Sequence, residues 1–476
     1  ATGDNTWLVM LYQDADDKIL EQDIYVDLNE AERVGSSDAL HIVAQVDRFS
    51  AGFQGDGNWT NTRRFYITQD DDLNRVGSEV VEDMGEANMA DANTLVDFVD
   101  WAVQNYPANH YVLILSDHGM GWPGGWSDPV PGGSVDRTIP LQTVLGDQIY
   151  LNELDQALGE IRSRTGIEKL DLIGMDACLM GHLEVFTALA PHARYAVASQ
   201  ETEPALGWAY TGFLSALRSN PDMDGAALGQ LIVDSYIQDD QRIVDDRARA
   251  EFMQQGSPMG GLFGFLGTMT ASQLTQQLEQ NITLTAVDLE ALPALQTSLN
   301  QLAYELQSTD QKQVAQARTY AQSFTSVWGQ DVPPSYIDLG SFVQLLQQNR
   351  TSAGVSQGIQ NVLAAMNQVI VAEKHGPKKS GATGISIYFP NSQLYKNASA
   401  GAQSYTAIAD RFAGQSLWDD YLAFHYSGRK FEAQSAEVVS LAPDSVTRAP
   451  GSGQFGISPI RLSDTETAPG SPVEIS

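Results

Sequence analysis

The chain has a single cysteine among 476 residues, Cys178, which excludes every intramolecular disulfide and every multi-thiolate metal site. A lone thiol is either an inert core residue or a nucleophile. Basic residues are also few: 27 Lys and Arg against 60 Asp and Glu leave a net charge of −33. That field repels phosphate backbones and anionic lipid, so nucleic acid and membrane surfaces are excluded as general partners. It favours cationic partners, among them basic peptides and Ca2+, and it serves solubility. No apolar run approaches the roughly 18 residues of a membrane span. The sequence opens at Ala1 without Met, which reads as a processed start and sets the expectation of an exported, extracellular or cell-envelope protein. Against these shortages, a hydrophobic fraction of 42% supplies a sizeable core and rules out wholesale disorder.

Five short runs rich in apolar and β-branched residues, 7–12, 40–46, 111–115, 170–175 and 195–198, are each bounded by polar or turn residues. Such runs suit strands of a parallel sheet buried on both faces. Helical patterns lie between them, at 18–34, 93–104, 151–164 and 179–190. Alternating strand and helix predicts an α/β fold with a mostly parallel sheet between helical layers. Residues 1–204 read as the catalytic core and 205–335 as a helix-rich insertion or subdomain, with leucines at helical spacing from Leu289 to Leu306. Residues 336–426 read as the remainder of the core, with a late strand at 384–389 returning to the sheet before Pro390. Residues 427–476, rich in Ser, Pro and Gly, read as an extended tail or linker that tethers the chain to further domains.

Two strand ends carry the chemistry. One runs into Asp117-His118-Gly119-Met120-Gly121-Trp122, the other into Asp176-Ala177-Cys178-Leu179-Met180-Gly181. In an open parallel sheet, ligands bind at the carboxyl ends of the strands. A thiol with an ordinary pKa of about 8.5 is mostly protonated at neutral pH. A neighbouring imidazole takes that proton and later delivers one to the leaving amine. The N–H groups of Gly119 and of Cys178, at the start of the following helix, suit an oxyanion. Asp117 is a candidate to orient the ring. The competing reading is a hydrogen-bonded histidine and a packed thiol with no joint role.

Both motifs resemble those of the clostripain family of cysteine peptidases, in the caspase-like clan with gingipains, legumain and separase. Further family-like segments include 7–16, Asp27 to Glu30, Val46 to Arg48, Asn88-Met89, Asn105 to Ala108, Ser199 to Pro204, Asp338 to Phe342 and 384–390. The resemblance spans roughly residues 5–426. It implies a caspase-like α/β/α sandwich, with His118 as general base and acid and Cys178 as nucleophile. It also implies a thioester acyl-enzyme and cleavage after Arg or Lys.

Basic-specific members hold the P1 side chain with carboxylates, one of them two residues before the nucleophile, where this chain has Asp176. A helix N-cap is the alternative role for that residue. A second pocket acid is expected near the Pro-x-x-Gly-Trp turn. Here Ala205 and Leu206 stand in its place, with Glu201 and Glu203 upstream and Trp208 as a pocket wall or an aromatic packed beneath the loop. The family is often activated by cleavage between the two motifs. The Pro/Gly-rich segment 123–150 holds one basic residue, Arg137, the expected self-cleavage point. The resemblance also implies Ca2+ as a cofactor outside the chemistry. Asp14, Asp16 and Asp17 form one acidic cluster and Asp70, Asp71 and Asp72 another, neither at EF-hand spacing. The histidines besides His118 (His41, His110, His182, His192, His375, His425) lack zinc-ligand spacing. Two alternatives stay open: a binding or scaffolding module that has lost turnover, favoured by Ala205 and Leu206, and a peptide ligase using the same pair.

Overall fold

A computed structural model describes residues 5–50, 52–129, 133, 138–254, 270–329, 331–349 and 351–433. The strands in chain order are β1 (Trp7–Ala15), β2 (Leu40–Arg48), β3 (Thr62–Tyr66), β4 (Glu79–Gly85), β5 (His110–Ser116), β6 (Gly124–Gly125) and β7 (Ile149–Tyr150). They continue with β8 (Leu170–Asp176), β9 (Ala193–Ala198), β10 (Thr283–Asp288), β11 (Tyr336–Asp338), β12 (Ile370–His375) and β13 (Ser386–Tyr388). Nine of them form one sheet in the order β12-β10-β9-β8-β5-β1-β2-β3-β4. The five central strands, β2, β1, β5, β8 and β9, are parallel neighbours, and they are the five read from the sequence. Antiparallel strands flank them: β3 and β4 on one side, β10 and β12 on the other.

The central strands are apolar throughout because both their faces are covered. Along β1, Leu8, Met10 and Tyr12 join one core cluster, while Trp7, Val9 and Leu11 join the other. Helices Ala92–Asn105, Leu151–Thr165 and Leu183–Leu189 contribute to the first cluster. Helices Glu21–Val34, Tyr210–Ser219 and Gly225–Ser235 contribute to the second. Helix Ala92–Asn105 shows how the local sequence decides its place. The Asp91 side chain caps it by accepting from the Asn93 N–H at 2.9 Å, and Leu95, Val96, Phe98, Val99 and Ala102 form its buried stripe. Each of the larger four contributes about 1.5–3 kcal/mol on burial. The result is an α/β/α sandwich.

Two expectations change. The late strand, β13, does not return to the main sheet. It pairs with β11 in a two-stranded sheet and touches the loop after β8 through a His182–Ser386 bridge. The place beside β9 is taken by β10, with β12 beyond it. Residues 205–335 therefore supply a strand to the central sheet as well as helices. The second change is that the helix after β8 begins at Leu183, so Cys178 lies in the turn before it, not at a helix start.

Candidate active site

β5 and β8 run side by side and in register, and Ser116 is paired with Asp176. His118 and Cys178 each stand two residues past that pair, at the carboxyl edge of the sheet. Beyond β5 the chain doubles back. The Trp126 N–H donates to the His118 carbonyl at 3.0 Å and the Met120 N–H to the Gly124 carbonyl at 2.8 Å. Gly121 and Gly124 make this turn with φ of +79° and +110°, a region that favours glycine. Trp122 anchors it, fully buried against Trp328, Tyr388 and Tyr405.

The two motifs touch through backbone. A Cβ on Gly119 would lie 2.3 Å from the Cys178 carbonyl oxygen, so only glycine permits this approach. Leu179, next to the thiol, holds φ at +65° although fully buried, a local strain of the kind found at functional sites. Its N–H donates to the Glu201 carbonyl at 3.2 Å, which fixes the turn. Among the described residues, the N–H groups of Gly119 and Cys178 have no hydrogen-bond partner.

His118 keeps 23% of its side chain exposed, and its Nε2 lies 3.3 Å from Oδ2 of Asp17. Asp17, in the turn after β1, also accepts from the N–H groups of Ile19 and Leu20, both at 2.8 Å. Thus Asp17, read from the sequence only as one of three clustered acids, reaches the imidazole. The residue before His118, Asp117, is buried and accepts instead from the Ser127 N–H at 2.9 Å. Burial works to lower the His118 pKa, but the charges of Asp117 and Asp17 outweigh it and push it up to about 8. The Cys178 thiol goes the same way: burial pushes it up to about 12, helped by the charges of Glu203, Glu201 and Asp176. Its Sγ accepts from the Glu203 N–H at 3.3 Å.

The residues expected at the substrate pocket divide. Asp176 is not a helix cap, since His182 precedes that helix. Its Oδ2 accepts from the Tyr210 hydroxyl at 2.8 Å and from the Trp208 N–H at 3.3 Å. Glu203 stands beside it and accepts from Trp208 Nε1 at 3.4 Å. Burial first, and then the Asp176 charge, hold Glu203 well above the usual carboxyl range. Glu201 is spent on structure: it forms an ion pair with Lys379 and accepts from the N–H of Thr202 at 2.7 Å and of Thr325 at 3.2 Å. Trp208 packs under the loop against Gly174 of β8. Leu206 is buried in the core and its carbonyl accepts from Arg242, which also meets Asp27 at 3.0 Å, Asp240 at 2.8 Å and Asp23 at 3.3 Å. Arg137 lies outside the described residues. The Asp70 and Asp72 carboxylates accept from backbone N–H groups of their own turn, at 2.5 and 3.0 Å.

A mostly parallel α/β/α sheet with these motifs at its carboxyl edge defines a class, the cysteine peptidases of caspase-like fold. The chain belongs to the clostripain family, whose sequence model matches residues 11–257. It is 23% identical to clostripain from Hathewaya histolytica over 418 residues, covering 80% of this chain and 74% of that protein. Its fold is similar to a secreted C11 cysteine protease from Bacteroides thetaiotaomicron bound to an irreversible peptide inhibitor. That match has a TM-score of 0.55 and 18% identity and covers 86% of this chain and 98% of the other. An inactive zymogen C11 protease from Parabacteroides distasonis matches with a TM-score of 0.57 and 14% identity, covering 87% and 99%. Among the described residues, no helix is long and apolar enough to cross a membrane.

Proposed function

We propose that the protein is an exported endopeptidase that cuts after Arg or Lys, with Cys178 as nucleophile and His118 as general base and acid. The observation that carries this reading is their equal offset past the Ser116–Asp176 pair, which sets a thiol and an imidazole on adjacent strand ends. In the resting site the thiol keeps its proton, because burial and three carboxylates disfavour a thiolate. A cationic P1 side chain beside Asp176 and Glu203 offsets those carboxylates and lowers the cost of ionising Cys178. Sγ then attacks the scissile carbonyl carbon as its proton passes to His118. The oxyanion meets the Gly119 and Cys178 N–H groups. Collapse expels the amine, which takes the proton from His118 and leaves a thioester. Water, deprotonated by His118, attacks the thioester, releases the acid and restores the thiol.

Pairs of fluorogenic peptides with Arg, Lys, Ala or Leu at P1 test the reading alongside Cys178→Ala. Cleavage confined to Arg and Lys and abolished in the variant supports it. Cleavage after Leu or Ala would keep the thiol but remove Asp176 from the pocket. No cleavage, even after proteolytic nicking within 123–150, would favour a binding module, and ligated product with an added amine would favour a ligase. Activation by self-cleavage after Arg137 belongs to the same proposal. It requires a fragment beginning at Thr138 that Cys178→Ala does not generate.

A further inference from the structure

Two tyrosines flank Asp176. Tyr210 opens its helix and donates from its hydroxyl to Oδ2 of Asp176 at 2.8 Å. The other, Tyr236, follows helix Gly225–Ser235, which climbs across β8 and β9. A Cβ on Gly225 would lie 2.8 Å from the Asp171 carbonyl oxygen, near the amino end of β8. One turn on, a Cβ on Gly229 would meet Leu172 at 3.5 Å and Val197 at 3.7 Å. Tyr236 comes after roughly 10 Å more of helix rise, against about 13 Å along the strand from Leu172 to Asp176. The helix thus delivers Tyr236 to the carboxyl edge, where Asp176 ends β8.

The segment that presents Tyr236 is held in place. The Tyr236 carbonyl accepts from Lys374 Nζ at 2.7 Å. Ile237 holds φ at +69° although β-branched and fully buried, a strained conformation. The Asp240 N–H donates to the Ile237 carbonyl at 3.3 Å, and Asp240 is anchored by Arg242. Yet the Tyr236 hydroxyl is buried with no hydrogen-bond partner among the described residues. A buried phenol ordinarily finds one. Burial, and then the charges of Glu203, Asp176 and Cys178, hold this phenol well above its usual range. The charged groups around it are therefore the two pocket acids and the nucleophile.

Such a hydroxyl gains a partner once a cation lies between those acids. We propose that Tyr236 is a specificity residue for P1, its phenolic oxygen accepting a hydrogen bond from the guanidinium or ammonium group that Asp176 and Glu203 attract. This rests on the Arg/Lys reading above. At rest the hydroxyl is covered, and a P1 side chain reaches it by entering between Asp176 and Glu203. A guanidinium has five N–H donors and an ammonium three, enough for both carboxyl groups and the phenol.

Tyr236→Phe removes only the oxygen. kcat and KM are measured on matched Arg, Lys and Leu peptides, with thermal melting of the same samples. KM for Arg and Lys should rise about five- to tenfold with kcat changed by less than about twofold, so the Arg-to-Leu ratio of kcat/KM falls. The variant should melt no lower than the parent, since it loses a buried hydroxyl that has no partner. Tyr25→Phe is the control. Its hydroxyl is also buried and unpartnered, but Tyr25 packs against Arg48, and the ratio should not move. A parent that prefers Arg or Lys, with the ratio kept in Tyr236→Phe, overturns the role of Tyr236 and leaves the P1 reading standing. A parent without that preference overturns the P1 reading and this one with it. An equal fall in kcat on all three peptides would set the hydroxyl to work on Cys178 instead, and also overturns it.

Discussion

The carbonyl oxygen of Cys178 occupies the space a methyl group on residue 119 would need, 2.3 Å from an ideal Cβ. The two motifs are thereby locked together through main chain. Gly119→Ala must push apart the strand ends that carry His118 and Cys178. We expect kcat/KM to fall by about a hundredfold with the circular dichroism spectrum unchanged, because roughly an ångström of misplacement costs that much. A loss of less than about twofold would mean that the imidazole and thiol do not act as a unit.

The pH dependence follows from His118. Its pKa, held at about 8 by Asp117 and Asp17 against the effect of burial, keeps the ring protonated at neutral pH, and a protonated ring cannot accept the thiol proton. kcat/KM should therefore rise as pH climbs through about 8. Asp17→Asn removes one of the charges that hold the proton, so the rising limb should move to lower pH. An unmoved limb would leave Asp17 with only its bonds to the Ile19 and Leu20 N–H groups.

P1 selectivity separates Asp176 from the acids of the 201–208 loop. Asp176→Asn should lower the Arg-to-Leu ratio of kcat/KM by about tenfold or more, the scale of a lost charge-assisted contact. Glu203→Gln should lower it less, since burial and the Asp176 charge hold that carboxyl well above the usual range and so disfavour its charged form. Glu201→Gln should leave the ratio alone and act on stability instead, because Glu201 pairs with Lys379. Ratios measured on matched peptides distinguish the three.

Arg242 is buried among Asp23, Asp27 and Asp240. Arg242→Met strands those carboxylates and should cost about 3–5 kcal/mol in chemical denaturation. Burial already pushes Asp23 up to about 7. Without the guanidinium it rises further, so lowering the pH should protonate it and shrink the deficit. A deficit independent of pH would point to lost packing rather than charge.

The central strands were legible because burial on both faces leaves runs such as Trp7 to Tyr12 almost wholly apolar. β4 was not: its sequence, Glu79-Val-Val-Glu-Asp-Met-Gly85, is exposed for most of its length and carries no core pattern. β10 lies in a Gln-rich stretch between helices, and β12 ends Glu373-Lys374-His375, a polar edge with little to mark a strand. The positions of His118 and Cys178 at strand ends could be read from local sequence. Asp17 could not be placed, because its contact with His118 exists only once β1 lies beside β5, nearly a hundred residues later in the chain. Leu206 shows the converse: its absence of charge was visible, but its burial beneath the Arg242 cluster was not.

The in-register pairing of β5 with β8 bears on any cut in the chain between them. With a cut after Arg137, the first fragment would hold β1 to β6 and the histidine; the second would hold β7 to β13 and the thiol. The two would remain hydrogen-bonded as a heterodimer through the middle of the sheet and separate only on denaturation. Neither piece would carry a complete active site, and recovery of activity after unfolding would become a bimolecular event that slows on dilution.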